Sequence, residues 1–177
     1  MSPAQSCLVV AVIVVVAVLA AKSQPTAEMQ GVVEPTNRFT VPANVSDTML
    51  LMLNAIAYQE SGGRADAHNK PEQSVGILQI RPILVRDLWL TKYNGRKFTL
   101  LDRWNPEASA MMFMAYQHMY LRDLRSAMTQ REYMARIWNG GPRGWTKEAT
   151  KKYWRGVQRY IEKLETGKLP MIFVRRA

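Results

Sequence analysis

A single cysteine, Cys7, leaves the chain without the pair that an internal disulfide needs. It precedes an apolar run instead of following it, which excludes a lipoprotein cysteine, and says nothing of the redox compartment. Histidine is equally scarce. His68 has no companion at metal-ligand spacing, and His118 falls in an apolar helical pattern as a core or groove residue, so neither a metal nor a cofactor is expected. Acidic residues are few as well, 14 against 24 Lys and Arg in 177 residues, for a formal net charge of +10. Such an excess suits an anionic partner, whether nucleic acid, lipid headgroups or an acidic wall polymer. The cations are spread from Arg64 to Arg176 and not packed in one arm, so a merely soluble basic surface fits equally well. No internal repeat is visible.

What is abundant is apolar sequence near the amino terminus. Residues 8 to 21, LVVAVIVVVAVLAA, are unbroken by a charge. The run is short for a span of about 20 residues and fits the apolar core of a secretory signal, with Ala20-Ala21 as a cleavage site. No Lys or Arg precedes it, which leaves an uncleaved membrane anchor as the alternative. Either way the remainder is delivered across a membrane, which argues against nucleic acid as the partner. The expected organisation is a signal peptide or anchor over 1–22, a flexible proline-bearing tether over 23–45, and one domain over 46–177.

That domain is organised around the stretch from Met49 to Ile80. Met49, Met52, Leu53, Ile56 and Glu60 share one helical face, and Ser61-Gly62-Gly63 stops the helix just beyond the glutamate. A carboxyl group in the last turn meets the negative end of the helix dipole, and burial against Met and Ile further disfavours its charge. Both effects raise its pKa, which is what a general acid needs near neutrality. Terminal-turn glutamates also fray into solvent, and the helix alone does not decide between the two.

Ser46 or Asp47 caps this first helix. A polar, irregular loop from Arg64 to Ser74 is long enough to line a cleft and carries Asp66, His68 and Glu72, each a solvated loop residue unless the loop folds back on Glu60. In the strip from Gly76 to Ile80, Gln79 offers an amide either to a sugar or to the loop's own backbone. A helix from Pro82 to about Lys92 follows, then a turn at Asn94-Gly95 and a connector in which Asp102 caps or pairs. Asn105-Pro106 starts a helix apolar on nearly every side, the buried centre of the domain. A shorter helix, Gln130 to Trp138, stops at Asn139-Gly140-Gly141-Pro142. The last, Thr146 to about Glu165, turns Ala149, Tyr153, Val157, Tyr160, Ile161 and Leu164 to one face. An inward Tyr153 needs a hydrogen-bond partner; Glu60, solvent and backbone are the choices.

Three segments in this order, Glu60-Ser61-Gly62-Gly63, Ser74-Val75-Gly76-Ile77-Leu78-Gln79-Ile80 and Ile137-Trp138-Asn139-Gly140-Gly141-Pro142, with Tyr153 as a fourth element, resemble the signatures of the soluble lytic transglycosylase domain of the lysozyme-like superfamily. The resemblance covers Ser46 to Leu164. It implies a mostly α, lysozyme-like (α+β) single domain with a saccharide groove, monomeric and located in the periplasm or cell envelope, or secreted. The implied activity is cleavage of the MurNAc-GlcNAc β-1,4 bond of peptidoglycan with formation of a 1,6-anhydro ring. Glu60 is then the single catalytic acid/base, Ser61 and Gln79 position the sugar, and Asn139 and Tyr153 orient the glutamate. A goose-type muramidase using Glu72 or Asp66 as second carboxylate, and a non-catalytic wall-binding module, are the other readings. The chain departs from the family's pattern at Trp138, where an Ala-Tyr pair often precedes the Asn, and from Arg81 to Trp89, where a more polar run is usual.

Overall fold

Helix α1, Asp47–Ser61, runs through the middle of the domain. Its ends follow from the sequence. The Ser46 hydroxyl accepts from the Met49 amide at 3.3 Å, and at the other end Gly62 takes the left-handed conformation, φ 65°, that closes the last turn. The helix is covered on more than one stripe: Met52, Leu53, Ala55 and Ile56 have no exposed surface at all. Burying each of the larger of these side chains contributes about 2 kcal/mol.

The computed structural model describes residues 38–89, 95–121 and 128–177. The expected leader, 1–22, and the first part of the tether lie outside them. Among the described residues no helix is long and apolar enough to cross a membrane.

The tether expected over 23–45 ends sooner than its composition suggested. Strand β1, Phe39–Val41, pairs in parallel with the carboxy-terminal strand β4, Phe173–Arg175, with Phe39 opposite Phe173. Asn54 of α1 holds this pair from inside. Fully buried, it donates to the carbonyls of Leu50 and Phe173 and accepts from the amides of Ile172 and Phe173 at 2.7 and 2.9 Å. A three-residue strand whose partner lies at the far end of the chain leaves no periodic trace, which is why the stretch read as tether.

Between α1 and the next helix the loop expected to be irregular contains a small antiparallel pair, β2 (His68–Asn69) with β3 (Ser74–Val75). Helix α2 spans Pro82–Trp89, and a single 3-10 turn, Leu101–Trp104, leads to α3, Pro106–Tyr120. Asn105 caps α3 by accepting from the Ala108 amide at 2.9 Å, and the helix is buried along Ala108 to Gln117. His118, expected in core or groove, is exposed on this helix; Gln117 takes the inward position beside it. Helix α4, Gln130–Gly140, runs two residues past the expected stop at Trp138, so Asn139 belongs to its last turn. Another 3-10 turn, Gly144–Thr146, leads to α5, Ala149–Glu165, which packs against both α1 and α4. The result is mostly helical, with all strands short.

Candidate active site

Glu60 ends α1 at the floor of a cleft of about 470 Å³. One lining of the cleft comes from the loop and α2 (Glu72, Ser74, Gln79, Arg81, Ile83, Asp87), the other from Tyr116 of α3 and from Trp138 to Pro142 at the end of α4. The Tyr153 hydroxyl donates to Glu60 Oε1 at 2.7 Å, and the Trp138 indole N–H donates to the same carboxyl group. Withdrawal from water is the largest influence on Glu60, and the negative charge of Glu72 acts in the same direction. The hydrogen bonds from Tyr153 and Trp138 and the charge of Arg81 oppose them. Desolvation prevails and pushes the pKa up to about 7. Burial, the negative charge of Glu60 and their hydrogen bond hold the Tyr153 phenol well above its ordinary range, so it stays a donor at any ordinary pH.

The remaining expected site residues are distributed less simply. Ser61 is buried, its hydroxyl within reach of the carbonyls of Ile77 (2.8 Å) and Ala57 (3.1 Å), and it is not among the residues lining the cleft. It ties the end of α1 to the strip from Gly76 to Ile80. Gln79 lines the cleft, but Nε2 donates to the carbonyls of Ala67 and Gly76 while Oε1 accepts from Ser74 Oγ at 3.0 Å. Of its two expected uses, these bonds are the internal one. They also hold Gln79 at φ 47°, a left-handed conformation costing about 1 kcal/mol in a residue with a Cβ. Asn139 is exposed in the cleft wall. Glu72 lines the cleft from its rim, paired with Arg81 at 2.6 Å, both about half exposed. Asp66 and His68 are exposed and do not line the cleft. Among the described residues, no three metal-binding side chains lie together.

Three residues that shape the site were missed by the sequence reading. Trp138, noted only as a departure from a pattern, both binds Glu60 and packs edge-on against Phe113 (5.0 Å) and Tyr116 (5.7 Å). Arg103, in the connector, donates to the carbonyls of Gln73 and Ile80 and so clamps the loop. The fit there is tight. A Cβ on Gly76, itself at φ 76°, would stand 2.0 Å from the Arg103 carbonyl oxygen. Arg136 lies buried under the opposite wall, bonded to Glu132, Thr150 Oγ1 and the Lys147 carbonyl. A cation within the run Met134-Ala135-Arg136-Ile137, four residues after Glu132, was the signal available for it.

No protein-family model and no curated protein matches the chain. Among solved structures, the crystal structure of Tapes japonica lysozyme is similar at a TM-score of 0.50 and 26% identity, covering 68% of this chain and 94% of that one. The likeness spans nearly the whole of that protein, and the fold built around Glu60 is lysozyme-like.

Proposed function

We propose that this protein is a peptidoglycan lytic transglycosylase in which Glu60 is the only acid and base. One observation carries the reading: of the three carboxyl groups that line the cleft, those of Glu60, Glu72 and Asp87, it is Glu60 that meets Tyr153 at the floor and is poised to be protonated near neutrality, while Glu72 sits half exposed at the rim in an ion pair. Hydrolysis by the usual route needs two carboxyl groups flanking the bond. A substrate that supplies its own nucleophile needs one.

The steps follow from the resemblance and balance without water. Glu60 gives its proton to the oxygen leaving C1 of the muramic acid, whose N-acetyl carbonyl stabilises the positive carbon. The C6 hydroxyl then bonds to C1 and returns its proton to Glu60. Oε1 already accepts from Tyr153. It therefore acts as the carbonyl oxygen of the neutral acid, and the proton belongs on Oε2. Tyr153 donates to Oε1 and the Trp138 N–H donates to the same carboxyl group, so both favour the ionised form. Asn139 is the exposed amide beside them for the sugar's acetamide, and Gln79 keeps the loop in place. The name lysozyme carried by the structural neighbour supports glycan cleavage in general. The envelope or the cell exterior as location, attachment through residues 8 to 21 and a monomeric state complete the proposal.

A second reading, a muramidase, draws on the place of Glu72 in the same cleft and the action of its charge on Glu60. Mass spectrometry of digested peptidoglycan separates the two, because anhydro ends and reducing ends differ by one water. Anhydro products from the wild type and none from Glu60→Gln are expected. Reducing ends would establish the muramidase, and equal behaviour of the two proteins a non-catalytic wall-binding module.

A further inference from the structure

The opposite ends of the three helices that meet at Glu60 line a separate groove of about 530 Å³. Thr48 belongs to the start of α1, Gln130 to the start of α4, and Ile161 to the second half of α5. No residue lines both this groove and the cleft. Thr48 stands twelve positions before Glu60, about 18 Å along α1 at 1.5 Å per residue. One sugar cannot touch both places, but two parts of one strand can.

The apolar part of the groove is Ile161 and the half-buried Trp154. Beside them stand two exposed amides, Gln130 and Gln158. Among the described residues neither amide side chain has a hydrogen-bond partner, and neither has the Trp154 indole N–H. Gln79 in the cleft is the contrast, since its own loop consumes its amide. Arg131 is paired with Glu165 at 2.9 Å, and Glu162 adds a second carboxylate. In a chain of net charge +10, this lining therefore carries more negative than positive charge and disfavours an anion. An extended peptide needs a sheet edge and an amphipathic helix needs an apolar groove; a lining of helical side chains, polar apart from Trp154 and Ile161, offers neither. An uncharged sugar fits. Its C–H face lies on an indole, and its hydroxyls donate and accept as the amides do.

We propose that this groove is a second, non-catalytic site for N-acetylglucosamine units, the sugars of the glycan strand that bear no carboxylate. The inference goes beyond the transglycosylase reading and rests on it for the identity of the polymer. A strand gripped at the groove keeps the protein beside its substrate after each cut. The next encounter of the cleft with a bond is then intramolecular, at a raised effective concentration. The advantage exists on the polymer and not on an oligomer too short to reach both sites.

The experiment is a nitrogen–proton NMR titration of Glu60→Gln with the soluble tetramer of N-acetylglucosamine. The indole N–H signals of Trp138 and Trp154 report the cleft and the groove separately. Both are expected to shift. Adding Gln158→Ala should weaken binding at Trp154 about fivefold and leave the Trp138 titration in place. On insoluble peptidoglycan, adding Trp154→Ala to Glu60→Gln should weaken binding about tenfold. Gln158 is exposed, so its truncation leaves the core intact and keeps the test decisive if Trp154→Ala fails to fold. A Trp154 signal that the tetramer does not move would overturn the groove site, whatever Trp138 does, and so would one moved only by a sugar-free stem peptide. A response at Trp138 alone leaves the transglycosylase reading standing. A response at Trp154 in a protein whose wild type cleaves no peptidoglycan would support the groove site and contradict the catalytic reading.

Discussion

Two glutamates line one cleft and differ in what surrounds them. At the floor, Glu60 is enclosed by Tyr153 and Trp138 and its pKa is pushed up to about 7. At the rim, Glu72 faces solvent and an arginine. The floor is made by helices: the end of α1, the last turn of α4 and the inner face of α5 meet there. The rim is made by a loop with two-residue strands and by α2. Enclosure gives a carboxyl group the means to hold and release a proton, while an ion pair in solvent is screened by water. The difference teaches that the raised pKa of Glu60 is a property of where three helices meet, and not of how many carboxylates the cleft contains.

The largest expected effect comes from exchanging the two glutamates' amides. Glu60→Gln should lower the rate on peptidoglycan by at least a thousandfold, and Glu72→Gln by less than about fivefold, measured as anhydro-muropeptide release. Comparable losses would erase the distinction between floor and rim and favour a two-carboxylate mechanism.

Trp138→Phe sharpens the description of the floor. It keeps a ring against Phe113 and Tyr116 but removes a donor that favours the ionised Glu60, so the pKa of the acid should rise above 7. The alkaline limb of the pH–rate profile should move upward, with a loss in rate of about tenfold from poorer placement. A limb that stays in place would mean that the indole N–H does not act on the carboxyl group.

Stability should also register the contrast. A carboxyl group whose pKa rises on folding binds its proton more tightly in the native state, so stability falls as pH rises from 4.5 to about 7. That cost is fully present above pH 7 and absent below 4.5. Glu60→Gln should therefore be more stable than wild type at pH 8 by about 2–3 kcal/mol, with the gap closing at pH 4, in urea unfolding. The smallest pair of effects concerns the arginines. Arg136→Met strips partners from Glu132, Thr150 and the Lys147 carbonyl and should cost about 2 kcal/mol, whereas Arg81→Met at the exposed rim should cost under about 0.5 kcal/mol.

Features set by neighbours in sequence were legible. The Ser46 cap, the stop after Ser61, the Asn105 cap and most of the inward face of α5 were readable, though Ala149, expected on that face, is exposed and Thr150 is buried in its place. Features set by distant partners were not. The β1–β4 pairing joins residues more than a hundred positions apart, and its strands are too short for alternation to show. Arg103 clamps the loop through backbone carbonyls, and any residue type supplies those, so no pattern marks its partners. Gln79 illustrates the same limit from inside the site. Its amide suits a sugar or a backbone equally, and only the positions of Ala67, Ser74 and Gly76 determine which it meets.

The most direct test is a titration of the Glu60 side-chain carboxyl by carbon NMR in the folded protein, with the Tyr153→Phe and Trp138→Phe variants alongside. A midpoint near 7, higher in both variants, is the predicted result. A midpoint near 4.5 that neither substitution moves would show an ordinary solvated glutamate and contradict the central claim.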